Sequence, residues 1–356
     1  MVDVIYRNPL WTAGPDILTA SDLEDRLDWG QVALGLKEIW AKSSGKGVLV
    51  GVCDTGRPVH PDLAGKVKFS RNFSNSGSDL DSQGHSTHVC GTIAAKADGK
   101  GVVGVAPDAE LCIAKVLGDD GSGSNRSVAQ GIRFCLEAGC DIVSMSLGGG
   151  YDQEVERAVN EAIAAGVFVI CAAGNSGEVP GQNTVNFPAK LPQTVAVAAY
   201  NKRGEIAKFS SRGKEVDIAL PGEEIVSTWP GGGYRSLSGT SMATPYCSGI
   251  VALYLELQRE AERANKPPEK PVRNNEQLLE LLKSAAIDKG PTGQDPSWGW
   301  GILDVKKLTT LGRTATPPPP ASGGEELDLG LFKARVMEVS GGWAGDTPRA
   351  GLFLYL

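Results

Sequence analysis

From Val48 onward, short apolar runs alternate with segments whose apolar residues recur every three or four positions. Val48–Cys53 is an unbroken apolar run that ends in Asp-Thr-Gly, and Leu111–Leu117 is a second. Val128, Ile132, Cys135 and Leu136 share one face of a helix that stops at Gly139. Asp141–Leu147 reads as a strand and runs into three glycines. Val155, Val159, Ala162 and Ile163 mark a helix closed by Gly166, and Val167–Cys171, Thr194–Tyr200 and Val216–Leu220 read as further strands. Strands apolar on both faces and separated by helices predict an α/β fold, a mostly parallel sheet between two helical layers. In such sheets the chemistry collects beyond the carboxyl ends of the strands, where Asp54, Gly148 and Asn175 all fall.

The stretch Gly239-Thr240-Ser241-Met242-Ala243-Thr244-Pro245 opens another helical pattern, through Ile250, Val251, Leu253, Tyr254 and Leu257. Pro245 is read into its first turn, where a missing N–H costs nothing. Ser241 then lies at a helix N-terminus, where unpaired N–H groups favour developing negative charge. An ordinary N-cap serine is the competing reading. A helix over 275–286 and a short last helix after Trp298–Asp304 follow, then the proline run Pro317–Pro320 and Ser322-Gly323-Gly324. The chain is divided into a short extension (1–28), the α/β domain (29–310), a Pro/Gly-rich linker (311–324) and a C-terminal tail of unassigned role (325–356). An acidic helical patch is expected at 21–27, and strand-like pieces at 329–336 and 352–356.

Composition narrows the function. The 356 residues are 41% apolar with a net charge of −7 and a pI near 5.2. No basic patch suits nucleic acid, and no apolar run approaches the roughly 20 residues of a membrane span. The N-terminus lacks the basic start and apolar stretch of a signal peptide. Seven cysteines, mostly inside apolar runs, read as small buried hydrophobes in a reducing compartment, not as disulfides or a CxxC metal site. A cytoplasmic location is expected.

Only three histidines occur, at 60, 85 and 88, all far upstream of Ser241. That order excludes a Gly-x-Ser-x-Gly hydrolase, and position 243 is alanine. Asp-Thr-Gly occurs once, so an aspartic-protease dyad is disfavoured. His85-x-x-His88 has no suitably spaced carboxylate for zinc. Gly121-Ser122-Gly123 lacks the lysine of a phosphate loop. His88 is expected to support the helix carrying His85, and His60, before Pro61, to lie on the surface.

What survives is the order Asp, His, Ser. Val52-Cys53-Asp54-Thr55-Gly56, the stretch from Asp81 to Thr92 around His85, Ala172-Ala173-Gly174-Asn175-Ser176-Gly177 and Gly239–Pro245 together resemble the subtilisin-like serine proteases (subtilases). The resemblance covers roughly Trp29 to Leu308 and includes Gly299–Asp304. It implies a three-layer subtilisin-like fold and a serine endopeptidase. Ser241 Oγ would attack the peptide carbonyl, with His85 as base and acid, since imidazole titrates near neutrality. Asp54 would hold the imidazole, and Asn175 with the Ser241 N–H would bind the oxyanion. The family usually has glycine where Ser86 stands, a change that would crowd the helix start or bias the imidazole.

The resemblance implies further sites. Gly121, Ser122 and Gly123 would form an edge strand pairing with extended substrate, and Ser146, Leu147 and Gly148 one wall of the primary specificity pocket. Asn186, where glycine is common, would either shorten and polarise that pocket or point away. Calcium is implied at Asp62, Asp98 and Val102 in the 96–102 loop, and more weakly at Glu215 and Asp217. No organic cofactor is expected. The short extension looks like that of the intracellular branch, and Ile5–Leu10 would lie across the cleft as an inhibitor. The partner is a protein or peptide substrate, with the oligomeric state open. A dedicated maturation protease acting on one precursor and a catalytically silent peptide-binding scaffold are the alternatives.

Overall fold

The fold is that of a computed structural model, which describes residues 27–266 and 268–312 throughout and, as backbone only, four strands at 5–7, 12–18, 326–328 and 333–335. The chain forms two units by contact, residues 1–314 and 315–356. The second is described only as the antiparallel pair β15 (Glu326–Asp328) and β16 (Lys333–Arg335). The expected patch at 21–27 and strand at 352–356 lie almost wholly outside the described residues.

The first unit is built on a nine-stranded sheet. In chain order its strands are β3 (Leu49–Asp54), β4 (Val67–Asn72), β5 (Glu110–Lys115), β7 (Ile142–Met145), β8 (Phe168–Ala172), β9 (Val195–Tyr200), β10 (Ile218–Pro221), β13 (Ala286–Ile287) and β14 (Ile302–Leu303). Across the sheet they run β13-β14-β10-β9-β8-β7-β3-β5-β4. All pairs are parallel except β13 with β14. Outside the sheet lie β1 (Ile5–Arg7), paired antiparallel with β6 (Ser122–Ser124), and β2 (Thr12–Leu18), paired with the hairpin β11 (Ile225–Trp229) and β12 (Gly233–Ser238).

Both faces of the sheet are covered, which is why the central strands read as continuous apolar runs. On β3, Val50 and Val52 face one core with Leu111 and Ile113 of β5, against α3 (His85–Ala94) and α6 (Thr240–Arg263). Cys53 on β3 and Cys112 on β5 face the other core, against α4 (Asn125–Glu137) and α5 (Gln153–Ala164). Asp54 continues the alternation of Val50 and Val52 and so falls on the α3 side. The remaining helices are α1 (Trp29–Ala33), α2 (Leu36–Trp40), α7 (Asn275–Ala285) and α8 (Val305–Leu311). The three-layer α/β arrangement expected from the apolar pattern is the one observed.

Two expectations are corrected. Pro245 is the sixth residue of α6, inside the helix and beyond its first turn. His60 is buried, its Nε2 lying 3.0 Å from the Gly233 carbonyl and its ring packed edge-on against Tyr234.

Candidate active site

Asp54 is the last residue of β3 and His85 the first of α3, and both side chains are fully buried. His85 Nδ1 lies 2.8 and 2.9 Å from the two Asp54 carboxylate oxygens. Its Nε2 is buried and has no hydrogen-bond partner among the described residues.

A polar collar fixes this helix start. Asp81 Oδ1 accepts from the Gly84 N–H, and Oδ2 accepts from both the N–H and the hydroxyl of Thr87. Thr55 Oγ1 donates to Asp81 Oδ1 and accepts from the Ser86 N–H. The buried Lys115 ammonium donates to the carbonyls of Thr55 and Leu80 and to Asp119. Gly84 must be glycine: its φ is +101°, and a Cβ there would lie 2.5 Å from the Trp229 ring. The roles of Asp81, Thr55 and Lys115 were not legible from spacing, although Asp81 stands in the same quoted motif as His85. Ser86 is buried, with its Oγ 3.8 Å from Cys90 Sγ one turn further along α3.

His88 supports α3 from the other side. Its Nε2 lies 3.0 Å from the carbonyls of Ile225 and Arg235 and so carries the ring proton, and burial pushes its pKa down to about 3.

Ser241 is the second residue of α6 and is buried. Its Oγ donates to the Ser146 carbonyl at 3.2 Å, and the Ser146 hydroxyl donates to the Ser241 carbonyl at 2.9 Å. Asn175 is anchored through Oδ1, which accepts from the N–H and the hydroxyl of Thr240 at 2.9 and 2.8 Å. Its Nδ2 is thereby turned toward Gly239. A Cβ on Gly239 would lie 3.1 Å from Asn175 Nδ2 and 3.6 Å from the Ser241 nitrogen. The missing methyl leaves a space faced by two N–H donors.

The expected substrate-binding residues fall around this point. Gly121, Ser122 and Gly123 lie at and in β6, whose partner is β1, with Tyr6 opposite Gly123. Ser146, Leu147 and Gly148 follow β7. The Gly149 and Phe187 backbones exchange hydrogen bonds, bringing Asn186 against this wall. Cβ atoms built on Gly148 and Gly174 would lie 2.9 and 2.8 Å from Asn186 Nδ2, so this amide sits between the two segments.

The residues expected to hold calcium are placed as follows. Asp62 is buried, and its carboxylate accepts from the Tyr234 hydroxyl and the Val102 N–H. Its nearest basic group is His60 Nδ1 at 3.8 Å, which burial holds below the usual imidazole pKa. The 96–102 loop folds over Asp62, with the Lys96 N–H on its carbonyl. A buried carboxylate with no Lys or Arg ion pair among the described residues fits a hard cation. Asp98 is exposed and 3.9 Å from Lys96. Glu215 bonds Asn183, while Asp217 is half-buried, accepts from the Ala196 N–H, and is pushed up to about 7 by desolvation.

Comparison with known proteins now bears on this geometry. Residues 45–301 match the family described as the Subtilase family, Peptidase_S8. The chain belongs to the subtilase family. It is 40% identical over 284 residues to "Intracellular serine protease" of Paenibacillus polymyxa, covering 77% of this chain and 84% of the relative. "Major intracellular serine protease" of Bacillus subtilis is 40% identical over 253 residues (67% and 79%), and "Subtilisin Savinase" of Lederbergia lenta 39% over 268 (75% and 92%). The protein is a subtilisin-like serine endopeptidase. Among the described residues no helix is long and apolar enough to cross a membrane.

Proposed function

We propose that the endopeptidase works through Asp54, His85 and Ser241, with Asn175 and the Ser241 N–H binding the oxyanion. The observation that carries this reading is the His85 imidazole, held by Asp54 at Nδ1 and with an unpartnered, buried Nε2. Asp54 fixes the tautomer in which Nε2 accepts, and it stabilises the imidazolium once formed. Ser241 Oγ leaves the Ser146 carbonyl, gives its proton to Nε2 and bonds to the substrate carbonyl carbon. The oxygen of that carbonyl enters the space beside Gly239. His85 then protonates the leaving amine, and a water repeats the sequence on the acyl-enzyme. Substrate adds as a strand on Gly121–Gly123, and its side chain at the scissile bond lies between Ser146–Gly148 and the Asn186 amide, which favours polar or small groups over large aromatic ones.

The test is labelling by a fluorophosphonate. Wild type should label, Ser241→Ala should not, and His85→Ala should label orders of magnitude more slowly. A wild type that does not label, with or without its first 20 residues, overturns the reading.

The extension is proposed to act as an inhibitor in cis. The pairing of Ile5–Arg7 with Ser122–Ser124 uses the backbone groups that substrate needs, and β2 then runs beside β12, which leads into Gly239. Deleting residues 1–20 should raise the rate on a small peptide, and an unchanged rate counts against inhibition. Calcium is proposed as a structural ion held by Asp62 with Asp98 and the Val102 carbonyl, and more weakly by Glu215 and Asp217. It would supply charge balance and tie the 96–102 loop down. Given two relatives named as intracellular proteases, a cytoplasmic location is proposed.

A further inference from the structure

Three of the seven cysteines, from three different elements, meet in space. Cys112 comes from β5, Cys135 from the last turn of α4, and Cys140 from the turn leading to β7. Their Sγ atoms all lie within 4.8 Å of one another, and all three side chains are buried. A cation about 2.3 Å from each of three thiolates in a plane would hold the sulfurs about 4.0 Å apart, so the trio is already close to that size. Among the described residues it is the one group of three His, Cys, Asp or Glu side chains with metal-ligand proximity.

The backbone of β3 comes close to these sulfurs. Gly51, in the middle of β3, faces them with no side chain. A Cβ there would lie 2.7 Å from Cys135 Sγ and 3.2 Å from Cys140 Sγ. Gly51 does not have the positive φ that demands glycine, so its lack of a side chain serves the close approach of Cys135 and Cys140. Two positions along the same face of β3, Cys53 places a fourth sulfur 4.0 Å from Cys135.

We propose that Cys112, Cys135 and Cys140 form a trithiolate site for a soft, thiophilic d10 cation. Soft sulfur ligands select such ions over calcium or magnesium. The charge balance is favourable. The Arg71 guanidinium lies within electrostatic reach of Cys112. Arg71 lies over the Phe134 ring, 4.7 Å from its centroid. A divalent ion bound by all three thiolates releases the thiol protons to solvent and leaves one net negative charge for Arg71 to face. The site lies in the core opposite α3 and α6, so the ion would cross-link β5, α4 and the start of β7 behind Asp54 without touching His85 or Ser241.

The probe is Cd2+, added without oxygen to reduced, chelator-treated Ser241→Ala protein of full length. One ion per chain should bind, with a thiolate-to-cadmium charge-transfer band and a raised Tm. Affinity should fall at least tenfold in Cys112→Ser and Cys135→Ser and be unchanged in Cys90→Ser and Cys171→Ser. Gly51→Ala keeps every thiol but pushes the Cys135 and Cys140 sulfurs out of place and should also lose binding. If the serine variants do not fold, the cadmium NMR shift of the otherwise unaltered protein counts the sulfurs directly. No charge-transfer band, a shift reporting fewer than three sulfurs, or a band lost equally in Cys90→Ser would overturn the proposal.

Discussion

Ser146 and Ser241 hold each other by two hydrogen bonds of opposite direction, each hydroxyl donating to the other residue's carbonyl. The Ser241 carbonyl needs an outside donor because the residue four positions on, Pro245, has no N–H to give. A proline inside α6 thus frees a carbonyl that the pocket wall then uses to hold the helix start. Ser146→Ala should cost about 1–3 kcal/mol through the unsatisfied carbonyl. It should also lower kcat by roughly ten- to a hundredfold through misplacement of Ser241. Adding Pro245→Ala supplies a donor again, so the double variant should recover stability, read by thermal melting as a double-mutant cycle.

Gly239→Ala is expected to act on turnover rather than folding. Its methyl would enter the space shared by Asn175 Nδ2 and the Ser241 N–H. Its φ of 166° is extended backbone open to any residue. Loss of oxyanion binding predicts a fall in kcat of about 10²–10³ with KM little changed. Steady-state kinetics checks this, and a Tm within a few degrees of wild type separates it from misfolding.

His88 sets a limit in acid. Its folded pKa of about 3 lies below the unfolded 6.5, so between those values only the unfolded chain takes up the proton. Stability from this group is complete above pH 6.5 and is lost as the pH falls toward 3, by about 1.4 kcal/mol per unit. Histidine-selective NMR on Ser241→Ala protein should find His88 neutral, with its proton on Nε2, at pH 5.

Asp217 works in the opposite direction. Its folded pKa is raised to about 7 from 3.8, chiefly by burial and further by Glu215, so the folded state keeps a proton that the unfolded state has released. Raising the pH from 4 to 7 therefore removes stability, again by about 1.4 kcal/mol per unit. Asp217→Asn keeps an acceptor for the Ala196 N–H and should abolish that slope, leaving the acid-side loss from His88 plainer than in wild type. Melting curves in chelator across pH 4–8 decide it. Calcium should stabilise the protein with Asp217 more than the variant if the ion binds there.

The sheet was legible because its strands are buried on both sides, and six apolar runs from Val48 to Leu220 could be read without tertiary knowledge. β4 and the β11–β12 hairpin were not, since Lys68, Arg71, Ser227 and Arg235 interrupt the apolar pattern while the pairing comes from distant strands. His60 was misplaced because a histidine before proline reads locally as a turn, whereas Tyr234, 174 positions away, buries it. Pro245 was misplaced because Gly239–Ser241 looks like a cap before the helix; α6 in fact begins at Thr240. The thiol trio was out of reach for the same reason as the collar around Asp81: its members share a place in the fold and no spacing in the chain.

The length and burial of α6 have a consequence for the life of the molecule. This helix has 24 residues and runs about 36 Å, with most of its side chains inside the core. Ser241 therefore cannot reach its position until α6 has docked on β7–β10, and those strands are themselves set between β3, which carries Asp54, and β14. The order of synthesis adds to this, since Asp54 and His85 emerge long before Ser241. On the proposed triad, a half-made chain carries a base without a nucleophile. The fold would then act as its own safety catch, with cleavage possible only once α6 has docked.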